Sequence, residues 1–230
     1  MVEKVTICNV RSDSEEVFQS QVDAVQTIVD KLRDGAVVVL PTDTVYGVAS
    51  LASLDESVMA IFELKQRPID KALPILVSGV QDVVNVLGLR DKAQVSRLER
   101  LASELWPGAL TCVVTSESRL SRGVQKDDGS IAVRSPGKSF AALIAAEVPI
   151  ACTSANVSGR DPAVTFDDAK ALAIGFASVG YHRNRDLLVV GDSTSMMEMP
   201  STLVDIRSDE VKVLRDGPIS LMEIQRVISS

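Results

Sequence analysis

The stretch Asp34-Gly35-Ala36-Val37-Val38-Val39-Leu40-Pro41 decides the fold, because it places a buried strand directly after a helix. Apolar residues recur at helical spacing upstream of it, at Val22, Val25, Val29 and Leu32. This spacing predicts an amphipathic helix over residues 20–33 that ends at Asp34-Gly35. The continuous apolar run 36–40 predicts a central strand with both faces covered, and Pro41 ends it.

Helix-like and strand-like segments alternate along the rest of the chain. Strands are predicted over residues 4–10 (an edge strand), 74–77, 110–115, 130–134, 149–153, 187–190, 202–206 and 211–215. Helices are predicted from a capping box at Ser53–Glu56 to residue 65, over 80–87, 91–105, 139–146 and 165–173, and after Pro218, with Leu221, Ile224, Val227 and Ile228 inward. This mixture indicates an α/β or α+β fold with a mixed sheet, and one domain over residues 1–230 is expected.

The composition narrows the classes of function. The net charge is −7 and only 3% of the residues are aromatic, which argues against non-specific nucleic-acid binding and base stacking. Cys8, Cys112 and Cys152 form no CxxC pair and are predicted to be buried free thiols in a reducing cytosol. The sequence has no signal peptide and no apolar run of about 20 residues, which predicts a cytoplasmic protein without membrane contact.

Several catalytic centres are excluded by absent residue types. His182 is the only histidine, so a zinc site or a Ser-His-Asp triad would depend on it alone, and a solvated loop position is the favoured interpretation. Neither a P-loop nor the dinucleotide-binding fingerprint occurs in the chain.

Polar loops near the predicted ends of strands and helices are the remaining candidates for a site. They are Pro41–Gly47, Lys65-Gln66-Arg67 with Lys71, Ser130–Pro136, Thr153–Gly159, Pro200–Asp205 and Val213–Gly217. The cations at 65–71 suit a phosphate, yet a solvated helix end explains them about equally well. A turn stabilised by threonine hydroxyls is an alternative for the first loop, and an internal acidic partner is an alternative for Arg134. The remaining loops are compatible with ordinary turns and strand ends.

Taken together and in this order, these segments resemble one family. The matching segments are Pro41–Gly47, Lys65-Gln66-Arg67-Pro68, Trp106–Thr111, Ala132–Arg134, Ser154–Gly159, Ser201–Asp205 and Leu214–Gly217, inside a motif core of about residues 20–217. The chain resembles the YrdC-type threonylcarbamoyl-AMP synthases in their short, single-domain form. The Lys-x-Arg and Ser-x-Asn pair is that family's own signature. The resemblance implies a YrdC-like domain, a twisted mixed β-sheet flanked by helices with a concave basic cleft.

The same resemblance implies a reaction. L-threonine, bicarbonate or CO2, and ATP would be joined into threonylcarbamoyl-AMP and pyrophosphate, for the N6-threonylcarbamoyladenosine modification at position 37 of tRNA. A threonine carbamate would attack the α-phosphorus of ATP, with Mg2+ accompanying the nucleotide. Such a nucleotidyltransferase needs positioning and charge stabilisation rather than a protein nucleophile, which agrees with a chain poor in histidine and cysteine. Downstream threonylcarbamoyl-transfer proteins would bring the product to tRNA, so the chain itself would meet tRNA only indirectly.

The resemblance also implies the site residues. Those implied for ATP are Lys65, Arg67, Lys71, Ser130, Ser154, Asn156, Pro162 and Arg215, with Lys65 and Arg67 also catalytic. Those implied for threonine are Thr44, Arg134, Cys152 and Ser201, with Thr42 and Tyr46 shaping the pocket. No protein ligand for a metal is assigned.

One contact expected from the resemblance is missing, and three other functions are weighed against it. Some family members have a histidine near the position of Leu76, so that contact with threonine is absent from this sequence. A double-stranded RNA or tRNA-binding module without catalysis is the main rival, and net charge and aromatic content weigh against it. Hydrogenase-maturation carbamoyltransferases share a related domain, but the acylphosphatase and zinc-finger sequences that they carry are absent here. A regulatory or ribosome-maturation role is a weaker third alternative.

Overall fold

The computed structural model describes residues 5–10, 12–178, 185–194 and 196–229. Its strands are β1 Val5–Asn9, β2 Ser14–Phe18, β3 Val37–Leu40, β4 Gly47–Leu51, β5 Ile75–Leu76, β6 Leu110–Thr115, β7 Ser130–Arg134, β8 Ile150–Ser154, β9 Leu187–Gly191, β10 Thr202–Asp205 and β11 Lys212–Arg215. Its helices are α1 Gln21–Arg33, α2 Asp55–Lys65, α3 Val80–Asn85, α4 Lys92–Leu105, α5 Phe140–Glu147, α6 Phe166–Ala177 and α7 Leu221–Ser229.

The strands form one mixed sheet in the order β11-β10-β6-β7-β5-β8-β4-β3-β9-β1-β2. Strand β3 lies well inside it, antiparallel to β4 and parallel to β9. Its side chains alternate between two cores, with Val37 and Val39 on one face and Val38 and Leu40 on the other. An uninterrupted apolar run is therefore required here, and the predicted mixed α/β architecture and central strand are confirmed.

Helix α1 follows the predicted bounds closely. Ser20 caps its first turn by accepting a hydrogen bond from the Asp23 amide, and Gly35 follows its end with φ of +92°. The predicted inward face is wrong in one position, because Val22 is 76% exposed. Ala24 and Ile28 are buried instead, so the apolar stripe is rotated away from Val22.

Two strands were not predicted, and both lie in sequence without a clear apolar pattern. Strand β2 reads Ser-Glu-Glu-Val-Phe and occupies the sheet edge, so β1 is an interior strand and not the predicted edge. Strand β4 begins at Gly47, inside what the sequence predicts as a loop.

Two helix details also differ from the predictions. The capping box at Ser53 is wrong, since Leu54 is the N-cap of α2 and gives no side-chain cap. In α7, Ile224 and Val227 are buried as predicted, but Leu221 is 42% exposed because it lies at the start of the helix.

The three cysteines are buried free thiols, as predicted. The predictions for Lys4 and His182 fall outside the described residues. Within the described ranges, no helix combines the length and apolar character that crossing a bilayer demands.

Candidate active site

A cleft of about 190 Å³ lies where several strand ends and loops converge on the sheet. It brings together seven of the residues that the sequence predicts for the site: Thr44, Arg67, Arg134, Cys152, Ser154, Ser201 and Arg215. Thr42, Tyr46 and the apolar Leu76 also line it. Three arginines therefore surround one cavity, and no carboxylate is found among its described lining residues.

The loop from Thr42 to Tyr46 is held by the hydroxyl of its first residue. Thr42 Oγ1 accepts from the Thr44 amide at 3.0 Å and donates to the Val45 carbonyl at 2.7 Å. The threonine-turn alternative is therefore realised for Thr42, while Thr44 Oγ1 accepts from Arg134 at 3.1 Å. The loop thus places Thr44 in the lining of the cleft, where its hydroxyl is hydrogen-bonded to Arg134.

Arg134, at the end of β7, is buried against this loop. Its Nη2 donates to Asp43 Oδ1 at 2.5 Å, and its Nε donates to the Gly108 carbonyl at 2.8 Å. The internal acidic partner that the sequence left open is thus Asp43, a residue not predicted for the site. A guanidinium has five N–H groups, and with the Thr44 bond three of them are engaged. The other two N–H groups are not used by these three bonds.

Arg215 and Ser201 form a second rigid unit at the other side of the cleft. Arg215 donates through Nε and Nη2 to the Ser201 carbonyl, at 3.0 and 2.8 Å, and through Nη2 to Ser201 Oγ at 3.1 Å. Ser201 Oγ also pairs with Thr111 Oγ1 at 2.7 Å, a contact that the sequence did not predict. Desolvation lowers the pKa of Arg215, and the nearby charges of Arg134 and Arg67 lower it further.

Helix α2 ends between the two cations of the Lys-x-Arg motif. Gln66 takes the left-handed conformation with φ of 51°. The Gln66 amide bonds to the Glu63 carbonyl and the Arg67 amide to the Phe62 carbonyl, which is the Schellman pattern of helix ends. This turn sends Lys65 into the protein and Arg67 to the cleft, where Arg67 Nε holds the Lys71 carbonyl at 2.7 Å.

Lys65 is fully buried and ties α2 to the loop after β8. Its Nζ donates to the Ser154 carbonyl, to the Asn156 carbonyl at 2.8 Å and to Asn156 Oδ1 at 2.7 Å. Burial and, secondarily, the charge of Arg67 lower the pKa of Lys65 from 10.5 to about 7. In the protonated form all three N–H donors of Lys65 face loop oxygens, so Lys65 contacts the cleft only through Ser154 and its loop.

Five of the predicted ATP residues do not line this cavity: Lys65, Lys71, Ser130, Asn156 and Pro162. Lys71 is exposed, which matches the alternative of a solvated cation. Ser130 begins β7 while Arg134 ends it, about 13 Å apart along an extended strand. The Ser130 amide donates to Asp128 Oδ1 at 2.9 Å, and Arg207 in turn binds Asp128.

Asn156 and Pro162 belong to one docked loop after β8. Ser154 Oγ donates to Asn156 Oδ1 at 2.7 Å, and the Ala163 amide bonds back to the Ala155 carbonyl at 2.8 Å. The Ala163 carbonyl also accepts from the Tyr46 amide at 3.1 Å, which connects the loop to the start of β4. Pro162 is half-buried beside this connection.

Cys152 supplies shape and not reactivity. Burial raises the pKa of its thiol to about 12, so the thiolate nucleophile is not formed at neutral pH. Tyr46 is buried too, and burial followed by the charge of Asp192 raises the pKa of its phenol.

The buried ammonium of Lys65 makes stability depend on pH. Between about pH 7 and 10.5 the unfolded chain keeps a proton on Lys65 that the folded protein has lost. In that window the free energy of unfolding of the wild type should therefore rise with pH relative to that of Lys65→Met. The reason is that proton uptake by Lys65 on unfolding becomes less favourable as the pH rises. Urea unfolding of both proteins at pH 7, 8.5 and 10 measures the difference. Both proteins carry the same buried cysteines, so the titration of these thiols contributes equally to the two profiles and leaves their difference unchanged. Parallel profiles would show that Lys65 is not buried as described.

Gly47, the first residue of β4, packs closely against Cys152 and Thr42. A Cβ atom at this position would lie 2.5 Å from Cys152 Sγ and 3.3 Å from Thr42 Cγ2. We expect Gly47→Ala to cost about 1–3 kcal/mol of stability through overpacking. Adding Cys152→Ala should recover most of that loss, because it removes the clashing sulfur. Urea unfolding of both variants, with Cys152→Ala alone as control, tests this expectation. If the stability losses of the two single variants simply added in the double variant, the clash with Cys152 would be contradicted.

Known proteins are similar to this chain in sequence. The Sua5/YciO/YrdC family model, described as "Telomere recombination", matches residues 30–217. A putative threonylcarbamoyl-AMP synthase of Mycobacterium leprae is 31% identical over 206 residues, which are 89% of this chain and 87% of that protein.

Solved structures share its fold. The crystal structure of Pyrococcus abyssi Sua5 complexed with L-threonine matches with a TM-score of 0.73 and 30% identity, over 89% of this chain. The matched region is 57% of that Pyrococcus chain, so this chain spans little more than half of it. Escherichia coli YciO matches with a TM-score of 0.70 and 19% identity, over 89% of this chain and 94% of its own, and shows the fold alone.

Proposed function

Because the chain belongs to the Sua5/YciO/YrdC family, we propose that it is an L-threonylcarbamoyladenylate synthase, a nucleotidyltransferase that acts on L-threonine, bicarbonate or CO2, and ATP. The observation that carries the proposal is the cleft itself. It collects three guanidinium groups and several hydroxyls without a lining carboxylate among the described residues. Such a lining would suit an anionic nucleotide and an amino-acid carboxylate.

Threonine occupies the end of the cleft near β7 in this proposal. The two unengaged N–H groups of Arg134 bind its carboxylate, and Asp43 and Thr44 hold the guanidinium in place. Ser201 is fixed by Thr111 and Arg215 and offers its hydroxyl nearby. Leu76 and the buried thiol of Cys152 give an apolar surface for the threonine methyl group. Leu76 replaces a polar contact here, so carboxylate recognition depends more on Arg134.

ATP occupies the end near Arg67 and Arg215. Both guanidiniums have lowered pKa values, chiefly through desolvation, so an anion that neutralises them is favoured there. Ser154 lines the cleft; Lys65 and the Asn156 amide donate to its carbonyl, and Asn156 Oδ1 accepts from its hydroxyl. Lys71, Ser130 and Pro162 lie outside the cavity, and we propose that they contact the more distant parts of the nucleotide.

The chemistry follows from positioning. The threonine amine adds to CO2 and loses a proton, which gives a carbamate. A carbamate oxygen then forms a bond to the α-phosphorus while the bond to the bridging oxygen breaks, and pyrophosphate leaves with that electron pair. Arg67 and Arg215 stabilise the charge that builds on the phosphates. No protein nucleophile is needed, which agrees with the raised pKa of Cys152.

Mg2+ enters with ATP as part of the substrate in this proposal. The cleft lining offers no carboxylate among the described residues, and the nearby Asp43 is occupied by Arg134. The phosphate oxygens and water would therefore supply the ligands of the ion.

We further propose that residues 1–230 form one domain in the cytoplasm, which the continuous sheet and the three buried free thiols support. Its product would serve N6-threonylcarbamoyladenosine formation at position 37 of tRNA. Separate threonylcarbamoyl-transfer proteins would carry out that transfer.

Pyrophosphate release from ATP tests the function. We expect release only when threonine and bicarbonate are both present, with each omission reducing it to background. Release that is independent of threonine would contradict the proposal. Saturable tRNA binding without pyrophosphate release would favour the RNA-binding rival instead.

A further inference from the structure

A second cavity of about 360 Å³, here called the rear pocket, lies at the opposite ends of β4 and β8 from the cleft. Strand β4 begins at Gly47 in the cleft and ends at Leu51 in the rear pocket. Strand β8 ends at Ser154 in the cleft and is preceded by Pro149 in the rear pocket. The two cavities share no lining residue, and adjacent residues of β5 line them separately, Leu76 the cleft and Ile75 the rear pocket.

The walls of the rear pocket are apolar. Nine of its twelve lining residues are aliphatic or proline, and they come from the ends of β4 and β5, the turn after α3, and the segments 119–124 and 148–149. The other three are Ser53, Arg119 and Ser121, so the described lining contains no acid. A volume of several hundred Å³ with few polar groups is typical of small-molecule pockets.

One polar group inside the pocket is unsatisfied by the protein. Ser121 is 6% exposed, and its Oγ has no hydrogen-bond partner among the described residues. The only other such atom in those ranges is Ser50 Oγ in β4, and Ser50 does not line the pocket. Buried hydroxyls are nearly always paired, so Ser121 Oγ marks a place where a bound molecule would supply a partner.

A positively charged side chain lies at the same pocket. Arg119 lines it, is exposed, and makes no ion pair with any described acidic residue. A ligand that satisfies this set has an apolar body, a polar head that accepts from the Ser121 hydroxyl, and a negative charge for Arg119. We propose that the rear pocket binds a small amphipathic carboxylate, such as a medium-chain aliphatic acid.

Octanoate, with 1-octanol as its uncharged counterpart, tests the proposal by calorimetric titration of the full chain. We expect octanoate to bind saturably with one molecule per chain and more tightly than 1-octanol. Val86, which is 54% exposed, lies at the pocket rim, so Val86→Trp should weaken octanoate binding at least tenfold without disturbing the core. Val22→Trp, on the 76% exposed position of α1, is the matched control and should bind octanoate like the wild type.

Two further variants separate charge from shape. Arg119→Gln should lower octanoate affinity about three- to tenfold and leave 1-octanol unchanged, and Ser121→Ala should weaken both ligands. Absence of saturable octanoate binding, an unaffected Val86→Trp variant, or equal affinity for the two ligands would each overturn the proposal. Pyrophosphate release is not part of this test, so its outcome is independent of the proposed function.

Discussion

Replacing Arg67 by alanine is expected to lower the rate of threonylcarbamoyl-AMP formation by about 10²–10³-fold, the loss seen when one preorganised charge-stabilising donor is removed. Arg67 lines the cleft, and its pKa is lowered by desolvation, so its charge is stabilised fully only when an anion binds beside it. The side chain is only half-buried, so the fold should survive. Pyrophosphate release at saturating threonine and bicarbonate measures the effect.

The matched control is Arg33→Ala. Arg33 is the last residue of α1, as Arg67 closely follows the end of α2, but Arg33 is exposed and pairs with Asp30. This variant should keep wild-type turnover, because a solvated helix-end cation contributes little to catalysis or stability. Equal turnover in the wild type and Arg67→Ala would contradict the proposed phosphate role of Arg67.

Replacing Arg134 by methionine is expected to have two effects at once. It should cost about 3–5 kcal/mol of stability, because it leaves the carboxylate of Asp43 buried without its partner. It should also abolish turnover, because the same guanidinium is proposed to bind the threonine carboxylate. Urea unfolding and pyrophosphate release measure the two effects separately.

The double variant Asp43→Asn/Arg134→Met separates the two roles. It should recover much of the lost stability, since no unpaired charge remains buried, and it should stay inactive. Arg226→Met breaks the exposed pair with Glu104 and serves as control, with an expected cost below about 1 kcal/mol. Recovery of turnover in the double variant would show that Arg134 holds only the loop and not the substrate.

The sequence predicted the central part of the fold because local patterns there agree with tertiary packing. The run Val37–Leu40 is apolar on both faces and packs on both faces. Strands β2 and β4 lack such a pattern, since an edge strand tolerates glutamates and β4 begins with a glycine beside a polar loop. Their positions depend on partners far away in the chain.

Many of the residue types that line the cleft were predictable, but the hydrogen-bond partners of the individual side chains were not. The sequence identified Thr44, Arg134 and Ser201, yet their partners come from distant segments, as with Thr111 and Ser201. Lys65 and Arg67 are only two residues apart, but the left-handed turn at Gln66 directs Lys65 into the protein and Arg67 to the cleft. Such a backbone conformation at a non-glycine residue has no clear sequence signal. The rear pocket, built from several separate segments, also has none.

The central claim is that the cleft joins threonine, bicarbonate and ATP into one molecule. Incubation of the purified chain with ¹³C-bicarbonate, L-threonine and ATP, followed by mass spectrometry, tests it directly. We expect threonylcarbamoyl-AMP that carries the label, together with an equal amount of pyrophosphate, and neither product from Arg67→Ala above background. ATP that stays intact, or AMP and pyrophosphate without a labelled adduct, would contradict it.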